Sequence, residues 1–145
     1  MKTKHFLKEI DNERLAAAIQ DAERGNSGDV VLFISHKTVE NPVQEAHAIF
    51  KKLNLEETTP QNSVLIFISP KSQRLSVIGG TDLYKALPPE WWAELVKTIT
   101  VDFAKGGLNE GLLAGLQEIG KAQRLHFPSE KPIDRAGQQN LLEEN

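Results

Sequence analysis

Asp82 is the residue of this chain best placed to do chemistry. It follows Ile78-Gly79-Gly80-Thr81. Two glycines let a backbone come close to a ligand, and a carboxylate just after them can project into a crevice. Hard cations such as Ca2+ or Mg2+ need several converging oxygens. The next acid along the chain is Glu90. It joins Asp82 as a candidate metal ligand if segment 83–87 folds back. In the competing reading, Asp82 caps a short helix and Glu90 starts the next one, where the helix dipole favours an acid.

A second group consists of Ser35-His36-Lys37 and Ser69-Pro70-Lys71, each following an apolar run. If those runs are parallel strands, Ser35, His36, Ser69 and Lys71 share one rim. With Asp82 beside them, that rim would hold an anion or a metal-bound phosphate-like ligand. Gly79 and Gly80 complete the candidate ligand-binding set. Loops that end strands are also often merely polar. Asp29 begins the first run, opposite the strand ends where ligands usually bind, so it reads as a structural cap.

Other chemistries lack their residues. The four histidines, His5, His36, His47 and His126, include no HxH or HxxxH pair, so no local zinc motif exists. The absence of cysteine removes thiolate nucleophiles and disulfides. There is no G-x-S-x-G elbow, and Gly79-Gly80 lacks the rest of a phosphate loop. The catalytic residues, if any, stay unassigned.

The elements that must position these residues follow from periodicity. Asp11 is a good N-cap, Leu15, Ala18, Ile19 and Ala22 share a helical face, and Gly25 ends the helix. The run 30–34 is short and wholly apolar, as in a strand covered on both faces. Asn41-Pro42 opens a second helix with the stripe Val43, Ala46, Phe50 and Leu53. The run 64–68, a turn at 70–73 and the alternating 74–77 make a hairpin. Pro88-Pro89 starts a third helix, buried through Trp92, Leu95, Ile99 and Phe103. A fourth covers about 109–125, with Leu112, Leu116 and Ile119 inward and Gly107, Gly111 and Gly115 every fourth residue. A glycine inside a helix costs ~1 kcal/mol relative to alanine, so close approach to a neighbour is expected there.

Strand, helix and strand form a βαβ unit with its two strands parallel, to which the hairpin adds an antiparallel strand. The fold class is therefore α/β: a small mixed sheet between helical layers, a three-layer αβα sandwich. One domain is expected over 5–128, followed by a flexible tail over 129–145 in which Leu141 and Leu142 fray. Trp91 and Trp92 cannot both point inward, which leaves Trp91 half-exposed as a surface for a protein partner or as ordinary packing.

The chain has 145 residues, 39% of them apolar and 26% charged, with net charge −3. That suits one globular domain. It gives no long-range attraction to nucleic acid. The N-terminus has no signal-peptide run, and no stretch approaches the ~20 apolar residues of a membrane helix. A soluble, cytoplasmic protein without membrane insertion is expected.

Several segments together resemble the TPM domain family, whose members include a thylakoid-lumen acid phosphatase. They are Ala18-Ile19-Gln20-Asp21-Ala22-Glu23 with Asn26-Ser27-Gly28-Asp29-Val30, and Gln61-Asn62-Ser63-Val64-Leu65-Ile66. Trp91-Trp92, Phe103-Ala104-Lys105-Gly106 with Glu110-Gly111-Leu112, and His126-Phe127-Pro128 extend the likeness. It looks closest to a soluble bacterial branch without membrane anchor. The resemblance implies a sheet between helical layers, divalent-cation binding and, in one branch, phosphatase activity. The soluble branch has an acid where this chain has Gly80, with Asp82 two residues later, and Gln61-Asn62-Ser63 stands where the branch has Arg-Asn-Gly. The function expected is a binding module for a divalent cation or an anionic ligand. The alternatives are a metal-assisted phosphate-ester hydrolase and a protein-interaction domain.

Overall fold

The computed structural model describes residues 10–57, 60–104, 107–129 and 141–144. The first helix, α1 (Asn12–Glu23), is capped by Asp11, whose carboxylate accepts the Arg14 N–H at 3.1 Å. Gly25 then takes φ +78°, a left-handed turn that glycine adopts without strain. Strand β1 (Val30–Ser35) follows. Helix α2 (Pro42–Lys52) has Asn41 as cap, accepting the Gln44 N–H at 3.1 Å, and Pro42 at its first position. Strands β2 (Val64–Ser69) and β3 (Arg74–Gly79) form the expected hairpin. Helices α3 (Thr81–Ala86), α4 (Pro89–Ala104) and α5 (Leu108–His126) come next, and β4 (Leu141–Glu144) ends the described chain.

The sheet order is β3-β2-β1-β4. β2 and β4 both run parallel to β1, and β3 is antiparallel to β2. Side chains alternate across it, as strand geometry requires. Val30, Leu32, Ile34, Val64, Ile66 and Ile68 pack under α1, α4 and α5. Val31, Phe33, Leu65, Phe67 and Ile78 pack under α2, with Phe33 and Phe67 stacked at 5.9 Å. Two apolar layers on one sheet make the expected αβα sandwich. Both β1 and β2 are buried along their whole length, the mark of a strand covered on both faces.

Two expectations need correction. Val43 is half-exposed rather than part of the α2 stripe, since the cap at Asn41 sets the helix so that Ala46 and Phe50 face the sheet. Leu141 and Leu142 do not fray. They pair in register with Leu32 and Phe33, and each packs on the apolar layer of its partner. The remainder of the expected tail, 130–140 and 145, and the Phe103 side chain lie outside the described residues. The close approach expected of the glycine row is seen at Gly115, where a Cβ would meet Ile99 Cγ1 of α4 at 2.6 Å. Gly120, outside that row, lies equally close to α1, where a Cβ would meet the Ala22 Cα at 2.8 Å.

Candidate functional site

The register separates the residues that sequence reasoning had gathered. β1 and β2 finish together, with Ile34 beside Ile68, so Ser35, His36, Ser69 and Lys71 do share a rim. β3 runs back, however, and sets Gly79 beside Val64, where β2 begins. Gly79, Gly80 and Asp82 therefore stand at the other end of the sheet, roughly 17 Å away at ~3.3 Å per residue. The proposed rim containing Asp82 does not form, because an antiparallel return reverses the ends.

At the Ser35 rim, the hydroxyls are engaged by the protein itself. Ser69 Oγ donates to the Lys37 carbonyl at 2.7 Å and accepts the Ser72 N–H at 3.4 Å. Ser35 Oγ accepts the Lys37 N–H at 3.2 Å, and Ser72 Oγ accepts the Val39 N–H at 2.7 Å. Both Ser35 and Ser69 are buried. His36 Nε2 lies 3.1 Å from Glu143 Oε2 of β4, an ion pair when the imidazole is protonated. Lys71 is exposed. These bonds tie two loops and β4 together rather than opening a cradle for an anion.

The opposite end holds the polar core. Asp82 and Gln61 clamp each other: the Gln61 N–H donates to Asp82 Oδ2 at 2.8 Å, and the Asp82 and Leu83 N–H groups donate to the Gln61 carbonyl at 3.0 and 3.2 Å. Gly80 makes this possible, because a Cβ there would sit 2.5 Å from the Gln61 carbonyl oxygen. Gly79 lies under the Trp92 indole, whose Cη2 would clash with a Cβ at that position. The two glycines thus serve packing against Trp92 and Gln61. Glu90 is exposed in the first turn of α4, with α3 and the Leu87-Pro88 link between it and Asp82.

Beside this turn lies a buried network absent from the sequence-based candidates. The Asn26 amide donates to the Ala22 carbonyl at 2.7 Å and accepts the Gly28 N–H at 2.8 Å. Glu23, fully buried, accepts the Val30 N–H at 2.9 Å. Asn62 Nδ2 donates to Ser27 Oγ at 3.1 Å, and Gln123 Nε2 donates to the Asn62 carbonyl at 2.9 Å. The Asn62 Oδ1 and Gln123 Oε1 acceptors are buried with no hydrogen-bond donor. The signal was present in the segments 26–29 and 61–63, which lead into the two parallel strands and set polar residues directly before apolar runs. Sequence alone could not bring Gln123 to them. No group of three or more His, Asp or Glu residues with metal-binding geometry occurs among the described residues.

The model of the TPM domain matches residues 1–122. This chain belongs to the TPM domain family. Among solved structures, the TPM chain is similar to the BA42 protein from the psychrophilic bacterium Bizionia argentinensis. That match has 21% identity and TM-score 0.80, covering 92% of each chain. It is also similar to the N-terminal domain of the cg2496 protein from Corynebacterium glutamicum, at 11% identity and TM-score 0.59, covering 88% of this chain and 82% of that one. At such identities the likeness shows the shared fold. Comparison with curated proteins finds no match. No helix among the described residues is long and apolar enough to cross a membrane. The sandwich expected from the family resemblance is the one observed, and β4 lies outside the matched segment.

Proposed function

We propose that this TPM domain is a binding module that holds a divalent cation weakly at the 79–82 turn, without turnover. One observation carries the reading. The exposed Asp82 carboxylate is fixed by the Gln61 N–H, next in sequence to Asn62, whose Oδ1 accepts no hydrogen bond. At this end of the sheet the buried Trp92 Nε1 lacks an acceptor, while Asn62 Oδ1 lacks a donor and the Asp82 carboxylate is exposed; a cation or its bound water is the complement of those two acceptors. A single carboxylate suits Mg2+, which keeps much of its hydration shell and uses one or two carboxylates, or a low-affinity Ca2+ site. Glu90 contributes only if α3 yields.

The reading stops at binding for a geometric reason. A hydrolase built on these residues would need His36 or Lys71 to face the same phosphoryl group as Asp82, and they stand at opposite ends of the sheet. An anionic ligand at the Ser35 rim would have to displace the hydrogen bonds of Ser35 and Ser69.

The test is a titration with Mg2+ and then Ca2+, followed by amide NMR. Gln61, Asn62 and residues 80–83 should shift together, with a Kd on the order of 10⁻⁴–10⁻³ M. The Ser35 rim should stay still, and Asp82→Asn should abolish the shifts. Shifts confined to the Glu143-Glu144 end, or shifts that survive Asp82→Asn, would remove the site.

A further inference from the structure

We propose that the outer edge of β1 is a docking site for a short extended peptide, an apolar pair followed by an acid, and that β4 is the chain's own copy of that ligand. The edge is bounded. In a strand, N–H and C=O groups alternate between the two sides. The Val30 N–H faces outward, where Glu23 Oε2 accepts it at 2.9 Å. Leu32 and Ile34, two and four residues on, face the same way. Glu23 thus closes the first position, and β4 covers the remainder from Leu32 to Ser35. A strand added here has room for about four residues, the length of β4.

The occupant shows what chemistry fits. Leu141 lies beside Leu32 and packs on the α1 side of the sheet. Leu142 lies beside Phe33 and packs on the α2 side. Glu143 reaches His36 at 3.1 Å. Backbone pairing supplies general affinity and alternate side chains supply selectivity, as in other strand-addition sites. The fit is incomplete on one side. A cavity of about 310 Å³ remains between α1 and β4, lined by Ile10, Glu13, Ala16, Ile34, Leu141 and Leu142. A residue larger than leucine at the Leu141 position would extend into this open groove and bury more apolar surface there.

β4 is also suited to being displaced. It has four residues, sits at a sheet edge, and lies outside the segment that the family model matches. It belongs to the same chain as the edge it covers. A tethered segment competes at an effective concentration of order millimolar. A peptide of the same sequence added in trans therefore binds poorly until β4 is weakened, and one with a better side chain in the cavity binds first.

The absence of cysteine permits a test in the full chain. Ser35 and Glu144 are register partners. The triple variant Ser35→Cys, Glu144→Cys, Leu142→Ser carries a weakened β4 that a disulfide can lock. The probes are fluorescent octapeptides with the sequence of 138–145, QQNLLEEN, and its Phe analogue, QQNFLEEN, read by polarisation. The reduced variant should bind both, at least ten-fold more tightly than the unsubstituted chain does, and the Phe peptide more tightly than the Leu peptide. Oxidation should abolish binding, and reductant should restore it in the same sample. Equal binding by the oxidised and reduced forms would overturn the proposal. So would no binding by a reduced variant whose amide spectrum shows it folded.

Discussion

Trp92 explains why two glycines stand where β3 ends. Its indole lies across Gly79 and stacks on Tyr84 at 5.7 Å, with Trp91 edge-on at 4.8 Å. The half-exposed Trp91 of the sequence reading is seen, packed against the core cluster. Gly79→Ala places a methyl group inside the ring position and must push Trp92 aside. Overpacking of this kind costs ~1–3 kcal/mol. The expected result is a lower midpoint in urea and a changed tryptophan emission spectrum, since Trp92 is nearly buried in the native chain. An unchanged spectrum and midpoint would mean that the indole is free to move. Gly80→Ala should cost at least as much, because it meets the Gln61 backbone rather than the far end of a side chain. The sequence made the need for glycine legible at both positions. The reason was not, because local sequence does not say which distant residue lies over a strand. Ser35 and Ser69 are the same case: their types permit ligand binding, and only the loops around them reveal bonds to Lys37.

At the scale of elements, periodicity carried nearly everything that is local. The helix caps at Asp11 and Asn41, the βαβ unit and the hairpin all stand where their patterns put them. The candidate site failed at one topological step. The antiparallel hairpin carries the chain back, so that Asp82 stands near the start of β2 and not at the rim. The glycines of α5 mark how closely the helical layer is packed. Gly115 lets α5 lie against Ile99 of α4, and Gly120 lets it lie against the α1 backbone. Gly115→Leu should therefore destabilise the fold by ~1–3 kcal/mol through overpacking, despite the ~1 kcal/mol that removing a helical glycine returns. Combining it with Ile99→Ala should cost less than the sum of the two single changes, because the two side chains compete for one space. Thermal or urea unfolding of the four chains measures that coupling. A Gly115→Leu chain more stable than the parent would place the glycine row toward solvent.

For the molecule as a whole, β4 changes what the C-terminal end does. Composition alone gave 129–145 the look of a loose end, since Leu-Leu in a polar stretch has no period to read. What the sequence could not display is the open side of β1, a strand buried throughout whose outward N–H and C=O groups need a partner. That partner lies over a hundred residues away in the chain. Deleting 130–145 removes Leu141 and Leu142 from the two apolar layers and uncovers Leu32 and Ile34. Half-burying two leucines is worth ~2 kcal/mol by area, and ordering the strand offsets part of it. A net loss of about 1 kcal/mol lowers Tm by roughly 2–8 °C in a domain of this size. The second consequence is association, because an exposed apolar edge strand is a template for pairing with another chain. The truncated chain should elute as a concentration-dependent mixture of monomer and larger species, and the QQNLLEEN peptide should return it toward monomer. Replacing only Glu143 by Gln tests a smaller part of the same contact. It weakens the pairing with His36 without uncovering the edge, so it should shift Tm by less than ~1 kcal/mol's worth, as for other exposed ion pairs. A truncated chain that keeps both its Tm and its monomeric state would mean that β4 rests on the edge without holding it.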